Sequence, residues 1–550
     1  MPFTVRPHRL FALGAVLFAG ACAWSSPPAL ASTNQISIME PGPAVLSDPA
    51  GVLHTLQLLG VNAIRLNISW GSVAPDANST KAPKKFNASQ PGSYSEASFA
   101  PYDAAVQVAH ADGITVEVDV AGGTPAWAFA PGTPKHANPA YAPTDSAYQA
   151  FYEAVARRYD GHYTPPGASS PLPDVTTWAV WNEANYTASL KPQSSKHGKI
   201  NVPESPEIYR GLAAAAWKAL SATGHAHNKV LLGELTARGY PNVGYGGMYP
   251  IVFVQSLYCL GSNYKELRGT AASEQGCPTT AAASRKFRSQ NPALFGAAGI
   301  SSHPYSRWYP PNSEKYSSCN HNSLCASLGD ISDLVNAIAK VQSAYGSHYR
   351  PAVYDTEYGY KTSPPLPVYF HNKTTSYYNV PINTATEYLN WAEYISWKNP
   401  QIASYDQYLL ADPPSDKADG YQPYASGLEL TDGQEKQTYD AFLLPLFLPS
   451  TKFSAKQKIE VWGDARPAHL VDVQDPGTSQ TVQVQFEAKG SSTFKTLATE
   501  PITNSEGYFD THMSFPGSGT VRLSYTYPAS DMQLAPGTTA YSRYVSIIER

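Results

Sequence analysis

From residue 35 to residue 448 the sequence repeats one pattern: a short apolar or β-branched run, a polar loop, then an amphipathic segment rich in Ala, Leu and Lys. Eight such units occur, with strand-like runs at Ile36 to Met39, Val61 to Ile68, Ile114 to Val120, Val175 to Trp181, Lys229 to Leu235, Gly299 to Ser302, Ala352 to Thr356 and Ile402 to Gln407. Helical segments follow near Val52 to Leu59, Tyr102 to Ala111, Ala147 to Tyr159, Pro206 to Ala222, Tyr249 to Leu260, Ile331 to Tyr345, Thr384 to Trp397 and Lys436 to Leu443. A helix between successive strands carries the chain back to start the next strand in the same direction, so the alternation implies a parallel sheet. Eight units is the number that closes into a (β/α)8 barrel. An open doubly wound sheet is the alternative, but no G-x-G-x-x-G follows the first strand and no G-x-x-x-x-G-K-[ST] occurs, which removes the nucleotide-binding forms of that fold.

The texture changes at Leu444-Pro445-Leu446-Phe447-Leu448-Pro449. Beyond it the runs are short and alternating, at 459–462, 481–486, 494–497, 519–527 and 544–548, with turn residues such as Gly477, Gly490, Gly507 and Gly517 between them. The expected architecture is therefore α/β, a TIM barrel over residues 32–449 followed by an immunoglobulin-like β-sandwich over 450–550. The sandwich has no clustered His, Cys or paired carboxylates and reads as non-catalytic.

Residues 1–31 read as a secretory signal: basic Arg6, His8 and Arg9, an apolar run from Leu10 to Trp24, and Ala29-Leu30-Ala31 before Ser32. The run is shorter than a spanning helix needs, so the mature chain is expected to be secreted without a transmembrane span. In an oxidising compartment Cys259, Cys277, Cys319 and Cys325 would form two disulfides, with loop proximity favouring 259 with 277 and 319 with 325. A net charge of −4 without long basic runs argues against nucleic acid as a partner. With 37 Tyr, 18 Phe and 10 Trp, the chain has aromatic surface to spare for contacts with a ligand.

In a (β/α)8 barrel, chemistry gathers at the carboxyl ends of the strands. Two glutamates stand there on strands that face one another across the mouth: Glu183 after strand four and Glu357 after strand seven. Glycoside cleavage through a covalent intermediate needs two carboxyl groups about 5–5.5 Å apart, one to attack and one to protonate the leaving oxygen. Trp70, Trp127, Tyr358, Trp308 and Tyr360 are candidate platforms for a sugar ring. No strand-end His-x-His or Asp cluster suggests a metal, and no cofactor motif occurs.

Trp181-Asn182-Glu183-Ala184-Asn185 resembles the W-N-E-P-N signature of the clan A retaining glycoside hydrolases, with families 39 and 5 the nearest comparisons. Leu59-Gly60-Val61-Asn62-Ala63-Ile64-Arg65-Leu66 with Trp70, Gly123-Thr124-Pro125-Ala126-Trp127, Ala156-Arg157-Arg158-Tyr159, Ser302-His303-Pro304-Tyr305 and Asp355-Thr356-Glu357-Tyr358-Gly359 fit the same pattern in order. The resemblance implies Glu183 as general acid/base, Glu357 as nucleophile, Asn182 as a donor to the sugar 2-hydroxyl, and Arg65, His303 and Tyr305 as neighbours of the nucleophile. Arg65 and the Tyr305 hydroxyl are then expected to hold Glu357 at low pKa, and burial against Trp181 to raise Glu183. Ala184 departs from the family's Pro, which puts only loop stiffness in question. The implied activity is metal-free, retaining O-glycoside hydrolysis on a polysaccharide or glycoconjugate. A catalytically silent carbohydrate-binding or cell-surface protein on the same barrel is the competing reading, and the sugar, the linkage and the oligomeric state are not legible.

Overall fold

The structure is a computed structural model that describes residues 32–198, 200–240, 246–314, 322–371, 376–414, 424–528 and 537–550. The expected signal segment, with its cleavage site, and Cys319, with its expected bridge to Cys325, lie outside the described residues. Among the described residues no helix is long and apolar enough to cross a membrane.

Eight parallel strands close a barrel: β1 Ile36–Glu40, β2 Ala63–Ser69, β3 Thr115–Ala121, β4 Thr177–Val180, β5 Lys229–Thr236, β6 Gly299–His303, β7 Ala352–Asp355 and β8 Ile402–Tyr408. Each pairs with its neighbours in chain order, and β8 returns to β1 with Ile36 opposite Ser404. The principal helices outside are α1 Pro49–Leu58, α2 Glu96–Ala111, α3 Asp145–Arg158, α4 Ser205–Ala222, α5 Pro250–Leu257, α6 Ile331–Ala344, α7 Ile382–Trp397 and α8 Gln437–Leu443. The (β/α)8 expectation therefore holds, and the helices begin where local chemistry stops an extended chain. Asp48 caps α1 by accepting from the Gly51 amide at 3.0 Å, with Pro49 in the first turn. Thr144 caps α3 in the same way.

The main core lies between the wall and the helices, not along the barrel axis. Strand β3 shows why. In T-V-E-V-D-V-A, Val116, Val118 and Val120 join the apolar core, while the alternating Glu117 and Asp119 take the opposite face and meet Arg65 of β2. The Ala156-Arg157-Arg158-Tyr159 stretch serves packing: Arg158 is buried against Asp103 and Glu96 of α2 at 2.6 Å each.

The connection from β5 to β6 is long and carries short helices at 269–273, 281–290 and 292–296 that the sequence pattern does not predict. It is pinned by the Cys259–Cys277 disulfide, as expected, and Arg210 of α4 supports the bridge with Nη1 3.1 Å from Cys259 Sγ.

Beyond α8 the chain forms two packed sheets. Strands β9 Leu446–Phe447, β11 Lys458–Asp464 and β14 Tyr508–Ser514 make one. Strands β10 Lys452–Phe453, β12 Thr481–Ala488, β13 Lys495–Pro501, β15 Gly519–Thr526, β16 Thr539–Tyr541 and β17 Val545–Glu549 make the other. Their inner faces share one apolar cluster from Ile459 and Val461 to Val482, Val484, Leu523 and Ile547, a sandwich core. A helix, α9 Pro467–Gln474, interrupts it where a turn is expected from the sequence. This unit covers the amino end of the barrel. Asn62, just before β2, donates to Glu506 at 2.6 Å, and Arg466 is buried between Glu393 of α7 at 2.6 Å and the Phe442 carbonyl at 2.8 Å. Trp397, Phe447, Trp462 and Tyr508 form an aromatic seam between the two units.

Candidate active site

Strand β4 ends in two left-handed residues, Trp181 with φ 61° and Glu183 with φ 44°. Such backbone is costly for a side-chain-bearing residue and persists only where the surroundings hold it. Here several hydrogen bonds do. The Glu183 amide donates to the Glu234 carbonyl at 2.9 Å, and the Trp181 indole donates to the Ser189 carbonyl at 3.2 Å. Asn185, fully buried, donates to the Thr236 and Met248 carbonyls and accepts from the Thr236 amide, tying the loop to the end of β5. Gln193 donates to the Ala184 carbonyl at 2.9 Å, so side-chain amides fix the loop that Ala184 leaves without a proline ring.

Opposite, Glu357 follows β7 by two residues. One carboxylate oxygen of Glu183, one of Glu357 and a ring nitrogen of His303 all lie within 4.8 Å of one another. Both carboxylates are largely but not wholly covered, with 19% and 12% of their side chains exposed, so the pair sits at the floor of an opening. His303 ends β6 fully buried: Nδ1 is 3.2 Å from Glu183 Oε1 and 3.5 Å from Glu357 Oε2, and Nε2 is 2.9 Å from Glu234 Oε2. Both ring nitrogens face carboxylate oxygens, which calls for an N–H on each and suits an imidazolium, not a metal ligand with a free lone pair. Tyr305 donates its hydroxyl to Glu357 Oε2 at 3.1 Å.

Arg65 is the hub beneath them. Its buried guanidinium reaches Glu357 at 2.7 Å, Asp119 at 2.9 Å, Asn182 Oδ1 at 3.0 Å and Glu234 at 3.3 Å, and it also bonds Glu40 at the end of β1. One cation is thus divided among four close carboxylates, with Glu117 a further 4.0 Å contact. Burial pushes Glu357 up to about 7; His303 and Arg65 pull it back, while Glu40 and Glu183 add to the rise. The expectation that Arg65 and Tyr305 hold this carboxyl low is therefore corrected: the arginine's field is shared, and burial prevails. Burial also opposes ionisation of Glu234, but Arg65 and His303 outweigh it and bring that group down to about 2. Burial works to lower His303, and Glu357, Glu183 and Glu234 reverse it, holding the ring well above its ordinary value.

Of the residues singled out from sequence, Arg65, Asn182, Glu183, His303, Tyr305 and Glu357 meet in this cluster. Trp70 and Tyr358 do not offer their rings to a ligand. Trp70 is 1% exposed and stacks on Phe151 at 4.9 Å, and Tyr358 is fully buried with its hydroxyl on Tyr360 and Ser306. Both rings are part of the apolar core instead. Trp127 is half-buried, donates to the Pro75 carbonyl and meets Trp70 edge-on. Glu40, Asp119 and Glu234 belong to the cluster and are absent from the sequence-based set. Glu40 obeys the same strand-end rule as Glu183, and Asp119 is legible in the V-E-V-D-V alternation. For Glu234 the signal is Gly233: an isolated Gly in a strand marks a bulge. The β5–β6 register does shift between Leu232 and Leu235, with Gly233 at φ 118° and Glu234 at φ 42°, which re-aims Glu234 into the barrel.

The model of the cellulase family (glycosyl hydrolase family 5) matches residues 44–165, the segment that carries Arg65 and Asp119. No curated protein matches the sequence. Among solved structures, a glucosidase from Croceicoccus marinus is 11% identical with TM-score 0.44, covering 88% of this chain and 94% of that one. A family 39 glycoside hydrolase from the gut symbiont Bacteroides cellulosilyticus WH2 is 13% identical with TM-score 0.43, covering 88% and 79%. The GH39 enzyme from Xanthomonas axonopodis pv. citri is 11% identical with TM-score 0.45, covering 88% and 92%. With the family match at residues 44–165 and the motifs that carry Glu183 and Glu357 beyond it, the chain resembles the clan A glycoside hydrolases, and over the matched residues it is similar to the family 5 enzymes.

Proposed function

We propose that the protein is a secreted retaining O-glycosidase that hydrolyses a polysaccharide or glycoconjugate by double displacement, with residues 32–449 as the catalytic unit and 450–550 as a non-catalytic one. The observation that carries this reading is the approach of Glu183 and Glu357 to within 4.8 Å from opposite walls of the barrel mouth. That spacing suits direct attack and leaves no room for the intervening water of an inverting enzyme. Glu357, ionised, attacks the anomeric carbon while Glu183 delivers its proton to the departing oxygen, and the glycosidic C–O bond breaks as the glycosyl–Glu357 ester forms. Glu183, now a carboxylate, takes a proton from water, whose oxygen attacks the same carbon and releases Glu357. Arg65 holds Asn182 by its Oδ1, which turns the amide NH2 toward a sugar hydroxyl. The Tyr305 hydroxyl keeps one oxygen of Glu357 occupied and aims the other.

The test is the anomeric configuration of the first-formed product, followed by proton NMR on a panel of aryl α-L-arabinofuranoside, β-D-glucoside, β-D-xyloside and β-D-galactoside and on polysaccharides. Retention is expected, and an inverted first product ends the two-step reading. Sugar binding without turnover across the panel points instead to a silent binding protein.

A further inference from the structure

Glu234, like Asp119, is wholly sequestered from the opening, and it touches the supports of both Glu183 and Glu357. Its carbonyl accepts from the Glu183 amide at 2.9 Å, and its own amide donates to Ser301 Oγ at 3.0 Å. Its Oε2 accepts from His303 Nε2 at 2.9 Å and from Thr356 Oγ1, the residue before Glu357, at 2.7 Å, and lies 3.3 Å from Arg65. A bulge and a left-handed backbone are maintained to place it there.

We propose that Glu234 is a positioning residue that keeps His303 an imidazolium, so that a fixed N–H stands between the two carboxylates whose charge is exchanged during turnover. This rests on the glycosidase reading above. Before the first step the negative charge is on Glu357; once the ester has formed it is on Glu183. Nδ1–H of His303 lies within reach of both, at 3.2 Å from Glu183 and 3.5 Å from Glu357, and can follow the charge without a change of rotamer. The Glu234 anion claims a proton on Nε2, so a neutral ring would leave Nδ1 bare; Nδ1–H is present only in the doubly protonated ring, whose charge the same buried anion favours. Glu234 is itself held ionised, down to about 2, and so does not release its hold anywhere in the working range. The other groups that act on the ring are Arg65 on β2, Glu117 and Asp119 on β3, Glu183 after β4, and Asp355 and Glu357 on and after β7. Among the described residues none of these faces Nε2 at hydrogen-bond distance, whereas Glu234 does, at 2.9 Å.

The decisive measurement is the ionisation of His303 by 1H–15N NMR of the imidazole ring, assigned by difference from His303→Gln. In the unaltered protein both ring nitrogens should remain protonated from pH 5 to 8, and titration near the ordinary histidine value of about 6.5 would overturn the proposal without any variant being needed. Glu234→Gln keeps the shape and a hydrogen-bond acceptor but removes the charge. His303 should then titrate within that range, and kcat should fall on the order of 100-fold at pH 8, with a smaller loss at pH 5.5 and little change in KM. A Glu234→Gln protein whose His303 stays doubly protonated and whose pH profile matches the parent also overturns it. The glycosidase reading fails separately, through an active Glu357→Gln, and that result leaves the NMR titration to judge the role of Glu234.

Discussion

Arg65 lies 2.7 Å from Glu357 and still does not hold it at an acid pKa, because burial outweighs a guanidinium that also serves Asp119, Glu234 and Glu40. The consequence is visible in stability. Glu357 and Asp119 both sit at about 7 in the fold, above their ordinary values, so the folded protein binds more protons than the unfolded chain between about pH 4.5 and 7. Their contribution is complete below that window and is lost as pH rises through it. Glu234, brought down to about 2, has the opposite sign and costs stability only as pH falls below about 4.5. Thermal unfolding should therefore peak near pH 5 and decline toward pH 8. Glu357→Gln should flatten the decline and be more stable than the parent at pH 8 by on the order of 2 kcal/mol. A melting temperature that rises from pH 5 to 8 would contradict this.

In the proposed mechanism the same position controls rate. A carboxyl at about 7 must lose its proton before it can attack, so kcat/KM should rise with pH up to neutrality. Glu357→Ala should lower kcat by roughly 1,000-fold or more, and azide should restore turnover by giving a glycosyl azide of inverted configuration, whereas Glu183→Ala with azide should give a retained one. Identical stereochemistry from both variants would reverse or remove the assigned roles.

Arg65→Met leaves several carboxylates around an uncompensated hole. The expected loss is about 3–5 kcal/mol in urea unfolding, the range for removing one partner of a buried ion pair. Arg65→Lys keeps the charge but not the fork that spans Glu357, Asp119 and Asn182, and should recover only part of it.

The seam between barrel and sandwich is expected to be obligatory. Arg466→Met strands Glu393, 2.6 Å away, and Asp464, 3.4 Å away, in buried surroundings, and should cost about 3 kcal/mol or more. A chain ended at residue 449 uncovers Trp397 and Phe447 and should aggregate. Soluble, active protein from that truncation would make the sandwich a mere appendage.

All eight barrel strands are legible in the sequence because each is a short run rich in apolar or β-branched residues, continuous or alternating, between polar loops. The sandwich is less so. Strand β14, Y-F-D-T-H-M-S, is polar at its exposed positions and pairs with β11 along its full length, so only the partner reveals it. Helix α9 is set by docking against α1, which local pattern does not encode. In the site, Glu183 and Glu357 stand out because a charge ends an apolar strand. Glu234 does not stand out in the same way: its meaning depends on the bulge at Gly233 and on His303, 69 residues later. Trp70 and Tyr358 misled for the converse reason, since an aromatic near a strand end can face the wall as readily as the mouth.

The sharing of Arg65 also bears on how such a chain can diverge. Acids from three strands and one loop residue draw on a single cation, so replacing any one of them redistributes protons among the others and disturbs the Glu183–Glu357 pair. Drift is thereby channelled away from the barrel floor. New substrate preferences would have to be found in the long connections above it, such as the disulfide-pinned excursion between β5 and β6, while the charge-balanced floor is inherited as a block.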